Sequence, residues 1–245
     1  MPTPTARLRR ALLPALAATT TVLALTAATT PAKPVYKGTG WKAWTSNDIY
    51  SLSPQPYTIV FADTTARTKL TPYLKAPAAQ VTTSVGVKVT VTTTIDTTKA
   101  VCPAFHRIVV HYGYRPNGVK GMSRANACYA LADGSAFGGH IWMDSEYWTS
   151  STWFSKTSSL NEAWRRDAVT HELGHILGLD HPNTDVNKDG KIANAECVKS
   201  TAGRKPIMCS SNRGQPTAAD GGKFTTEYDI PGLKQLLKNY SLRQQ

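Results

Sequence analysis

The run His171-Glu172-Leu173-Gly174-His175-Ile176-Leu177-Gly178-Leu179-Asp180-His181 gathers the residue types of a hydrolytic metal centre. Residues four apart on a helix share one face, so His171 and His175 can present two imidazoles to one ion. Val169, Leu173 and Ile176 fall on the opposite side, free to pack inward. Gly178 suits a helix stop and lets the chain turn back, so that His181 supplies a third nitrogen. Three neutral ligands leave one tetrahedral position for water, which separates a catalytic zinc site from a closed structural one. Glu172 can reach that water as general base without occupying the metal. With 6 His and 17 Gly in 245 residues, chance gives this eleven-residue pattern about 5 times in a million, against ~0.3% for bare H-E-x-x-H.

A second motif follows. Asp185 to Glu196 (DVNKDGKIANAE) fits the calcium loop D-x-[DN]-x-[DN]-G-x5-E at every specified place. Asp185, Asn187, Asp189, the Lys191 carbonyl and Glu196 are its candidate ligands for Ca2+, as a structural support. Against this, Pro182 interrupts the approach, and a polar turn is the plainer alternative. Cys102, Cys128, Cys197 and Cys209 allow three pairings. Cys102 with Cys128 and Cys197 with Cys209 close the shortest loops and are favoured over free thiols. No C-x-x-C pair suggests a cysteine-zinc site.

The elements that must position these groups read as strands first and then one long helix, which is an α+β arrangement. Tyr57 to Phe61 (YTIVF), Val87 to Thr92, His106 to Tyr112 and His140 to Asp144 have strand character. Ala132 to Gly139 is small and glycine-rich, either a bulged edge strand or a loop. Ala66 to Gln80 has a loose helical pattern that Pro72 and Pro77 interrupt. Ser159 to Glu162 matches the S-x-x-E capping box and predicts the start of the helix that carries His171 and His175. His106, His111 and His140 are expected to be packed or surface residues rather than ligands, and Lys234, Lys238 and Arg243 a solvated basic face.

At the front of the chain, Arg7, Arg9 and Arg10 precede the apolar Ala11 to Ala28, which reads as a secretory signal over 1–28. Pro14 and the threonines dilute it too far for a membrane anchor. Residues 29–56 read as a leader or linker and 57–245 as one domain. The 28 Lys+Arg against 16 Asp+Glu give a net charge of +12. No nucleic-acid motif accompanies it, so it is taken as a bias towards acidic substrates or surfaces.

The run HELGHILGLDH resembles the metzincin metalloproteases, and among them the matrixin catalytic domain. Pro206-Ile207-Met208-Cys209 looks like the family's Met-turn, with Met208 as its methionine, and Phe224 to Leu237 is similar to the final matrixin helix. The resemblance implies a mixed, mostly parallel twisted sheet, an active-site helix and a C-terminal helix after the Met-turn. It also implies that an edge strand holds an extended peptide. On this reading His171, His175 and His181 bind Zn2+ and Glu172 is catalytic in a secreted, extracellular, monomeric endopeptidase acting on protein or peptide substrates. Departures exist: no PRCGxPD-like segment precedes the domain, no tyrosine follows Met208, and the stretch from His181 to Met208 is longer than matrixins lead one to expect. The alternative is an exported, zinc-stabilised module that binds anionic polymers without proteolysis.

Overall fold

The computed structural model describes Met1 and residues 32–211 and 215–244. The signal read at 1–28 therefore lies, apart from Met1, outside the described residues. The body is α+β. Strands β1 (Lys37–Gly38), β2 (Trp41–Ala43) and β3 (Ser51–Leu52) precede β4 (Tyr57–Phe61), α1 (Thr64–Gln80), β5 (Val89–Ile95), β6 (Arg107–Gly113), β7 (Arg124–Tyr129) and β8 (Ser135–Asp144). Helix α2 (Ser158–Ile176), the short β9 (Leu179–Asp180) and α3 (Asp229–Arg243) follow.

The main sheet runs β5-β4-β6-β8, all parallel, with β7 antiparallel on β8. Alternation decides its faces. Tyr57, Ile59 and Phe61 on β4, Ile108 and Val110 on β6, and Ile141 and Met143 on β8 enter the main core with Leu70 and Leu74 of α1 and Val169 and Leu173 of α2. His111, His140 and Trp142 occupy the positions between and so lie on the other face.

Helix α1 is continuous through both prolines. Asp63 caps it by accepting from Ala66 N at 2.8 Å, and Ala66, Leu70, Leu74 and Ala78 form a fully buried stripe. The threonine hydroxyls of Thr68 and Thr71 donate to carbonyls four residues back, beside the positions where proline supplies no N–H.

The sequence reading needs correction at several points. Residues 35 to 56 are not a tether: β1 and β2 form an antiparallel ribbon with β9, β3 pairs β8, and Ala43, Ile49 and Leu52 are fully buried. Short apolar islands in a polar stretch have no period to reveal them. Of the glycine-rich 132–139 stretch, 132–134 form a turn and 135–139 begin β8, which is internal rather than an edge strand and carries an irregularity where Cys128 and Tyr129 pair with Gly138 and Ala136. A Cβ at Gly138 would sit 2.3 Å from the Arg107 carbonyl oxygen and one at Gly139 2.1 Å from that of Asn126, so these glycines permit close backbone approach. The capping box does not form. Thr157 is the N-cap without a side-chain bond, and Glu162 pairs instead with Arg165 at 2.6 Å and Arg166 at 3.3 Å. Arg243 is not a merely solvated charge, since it donates to the Asp133 carbonyl at 2.7 Å and to the Tyr36 hydroxyl at 3.0 Å.

Both favoured disulfides are present, Cys102–Cys128 and Cys197–Cys209. Such bonds belong to oxidising compartments. Among the described residues no helix is long and apolar enough to cross a membrane.

Candidate metal centre

Helix α2 delivers His171, Glu172 and His175 to the floor of a cleft, and Gly178, at φ +95°, turns the chain into β9 and on to His181. The three histidine Nε2 atoms form a triangle with edges of 3.1, 3.1 and 3.2 Å. Among the described residues these three side chains are the one group of His, Cys, Asp or Glu gathered closely enough to share an ion.

The tautomers follow from the surroundings. His171 Nδ1–H donates to the Ile207 carbonyl and His175 Nδ1–H to the Leu179 carbonyl, both at 2.8 Å. Their neutral rings therefore direct bare Nε2 lone pairs into the triangle. Hydrogen bonding cannot satisfy that arrangement, because at most one proton, on His181, lies between three nitrogens. Burial pushes the His171 pKa down to about 4 and also lowers those of His175 and His181, reinforced at His171 by the neighbouring His181 and at His175 by both other rings. Three neutral nitrogens at these spacings match the ~3.3 Å edge of a tetrahedron with ~2.0 Å metal–nitrogen bonds. The donor set fits zinc.

Support comes from elements far apart in the chain. Ile207 N and Thr225 N each donate to the buried Asp229 carboxylate at 2.8 Å, and the Thr225 hydroxyl donates at 2.6 Å. The Ile207 peptide thus links Asp229, at the start of α3, to the Nδ1 side of His171. Met208 is buried beneath α2, where a Cβ on Gly174 would meet its sulfur at 2.3 Å. A side chain at Gly174 would displace this methionine from its present place against α2. Trp44 packs against His175 with ring centroids 4.7 Å apart and the planes tilted by 42°, and Lys42 pairs with Asp180 at 2.7 Å beside His181. The sequence reading missed Trp44, Asp229 and Lys42, because nothing local marks them.

Glu172 lines the same cleft and makes no hydrogen bond to a described residue. Burial pushes its carboxyl up to about 8. A cation on the adjacent imidazoles would act in the opposite direction. Trp44, Met122, Tyr147, Phe154 and Ala168 also border the cleft, whose volume is about 540 Å³.

The Asp185 to Glu196 loop lies at the surface. Asp185 accepts from Asp189 N and Gly190 N at 3.1 and 2.8 Å, and Glu196 accepts from Val186 N and Ala193 N, both at 2.8 Å. Asn187 accepts from Asp189 N at 3.0 Å, and Asp189 accepts from Lys191 N at 2.9 Å. The carboxylates are turned onto the loop's own N–H groups rather than onto one point. His106 bonds to Ser53 at 2.8 Å and His111 to His140 at 2.9 Å.

No family model and no curated protein matches the chain. Among solved structures it is similar to a chain of the GM1-bound form of the ECX AB5 holotoxin, with a TM-score of 0.41 and 12% identity. That alignment covers 81% of this chain and 84% of the other. At this score the likeness bears on neither fold nor function.

Proposed function

We propose that the chain is an exported zinc-dependent endopeptidase of the metzincin type. The observation that carries the reading is the triangle of three neutral histidine nitrogens with Glu172 beside it in an open cleft. Further support comes from Met208 under the active helix, the antiparallel edge strand β7 and the two disulfides.

His171, His175 and His181 would hold the zinc, with Ile207 and Leu179 fixing the tautomers of the first two. When bound, zinc supplies a Lewis acid that lowers the pKa of a water and polarises a peptide carbonyl. Glu172 takes the proton from the attacking water and hands it to the leaving amine, for which a buried carboxylate that lines the cleft and has no hydrogen bond to a described residue is suited. The unpaired side of β7 can align an extended substrate by backbone bonding. We also retain calcium as an occupant of the Asp185 to Glu196 loop, where it would brace the chain between His181 and Met208 together with the Cys197–Cys209 bond.

The reading predicts cleavage of casein or a quenched peptide that a chelator abolishes and added zinc restores. Cleavage that persists in fully chelated protein would defeat it. Steeply salt-dependent binding to an anionic polymer without turnover would favour the binding module instead.

A further inference from the structure

The sheet face turned away from α1 and α2 holds a second concentration of polar and aromatic groups. Arg124 lies opposite Trp142 and Asn126 opposite His140, so these cross-strand pairs share that face. Together with Lys99 and His111 they line a cavity of about 380 Å³ into which no carboxylate projects. His140 Nε2–H donates to the Ala100 carbonyl at 3.0 Å, leaving its Nδ1 to accept from His111 at 2.9 Å. The two imidazoles thereby satisfy each other, and both stack on Trp142.

The cations have no such partner. The Arg124 guanidinium lies over the Trp142 ring at 4.2 Å and forms no ion pair among the described residues, and Asp96, the acid whose charge acts on His140, is already held by Arg107 at 2.7 Å. Stacking fixes the plane of a guanidinium while its edge keeps N–H donors free for a carboxylate. Arg124 also borders the cleft that contains His171 and Glu172.

We propose that this cavity is a substrate subsite that selects an acidic side chain, with Arg124 as the specificity-determining residue. The proposal rests on the endopeptidase reading above. A peptide added to the free side of β7 turns alternate side chains onto the face of Arg124 and Asn126. One side chain of a substrate running through the cleft is thereby set against the Arg124 edge, where a glutamate completes a bidentate pair and a glutamine does not.

A set of quenched peptides in which a single Glu or Gln is moved through the positions flanking one cleavage site tests this. The zinc-loaded wild type should favour Glu about fivefold in kcat/KM at one position, the scale of an exposed ion pair. That Glu/Gln ratio should fall to about one in Arg124→Ala, recover in part in Arg124→Lys, and shrink with added salt. Cleavage without a Glu preference at any position, or a preference that survives Arg124→Ala, overturns the subsite while leaving the endopeptidase reading intact. Failure of the zinc-loaded protein to cleave any peptide overturns both.

Discussion

Replacing Asp229 by alanine probes the link between α3 and the proposed metal centre. In the folded chain this buried carboxylate accepts from Ile207 N and Thr225 N at 2.8 Å and from the Thr225 hydroxyl at 2.6 Å. Its removal takes this acceptor from the buried N–H groups of Ile207 and Thr225, at about 1–3 kcal/mol each, and from the more distant Met208 N at 3.4 Å. Relief of the carboxylate's own burial, which raises its pKa, offsets part of that cost. The expected loss is therefore about 2–4 kcal/mol, or about 5–15 °C in Tm for a body of this size. Because the Ile207 carbonyl also orients His171, zinc affinity should fall about tenfold or more. Asp229→Asn retains one acceptor oxygen and should lie between wild type and alanine. Thermal melts at saturating zinc, combined with a competition titration against a chromogenic chelator, measure the two effects separately. A Tm within about 2 °C of wild type together with unchanged zinc affinity would refute the proposed linkage.

Three further outcomes are expected. Cys197→Ser with Cys209→Ser removes a bond of sequence separation 12, which corresponds to about 3 kcal/mol of loop-closure stabilisation, and urea unfolding should show a loss of that order. Burial raises the Asp167 carboxyl from 3.8 to about 7, against the hydrogen bonds from Gly222 N and Gln215 N. The folded state thus favours its protonated form, a contribution present below pH 3.8 and lost as pH rises through about 7, so urea midpoints across this window should fall less steeply in Asp167→Asn than in wild type. Calcium at 100 times its Kd should stabilise the protein by about 2.7 kcal/mol with zinc held fixed, and a melting temperature that does not move at millimolar calcium counts against the loop as a site.

The candidate metal centre was legible because its three histidines are local. Helical spacing places His171 over His175, and Gly178 announces the turn to His181 within eleven residues. What orients them was not legible: the carbonyl that fixes His171 lies 36 residues away, and the carboxylate holding that carbonyl's peptide a further 22. The strands with β-branched alternation, such as Tyr57–Phe61 and Arg107–Gly113, were also readable. The edge strand β7 was not, because Arg-Ala-Asn-Ala-Cys-Tyr carries little strand propensity and is held by its pairing with β8. Gly138 and Gly139 resemble loop residues for the same reason that they are needed inside the sheet, the lack of a side chain. Glu162 satisfied a capping pattern but found two arginines, an ion-pair choice that the pattern does not contain.

The most direct test of the account compares wild type with Glu172→Ala, measuring bound zinc per chain and peptide cleavage on the same samples. The account predicts about one zinc on the three histidines of each protein, with cleavage at least about a hundredfold lower in the variant. A Glu172→Ala protein that carries its zinc and still cleaves at a rate near wild type would contradict it.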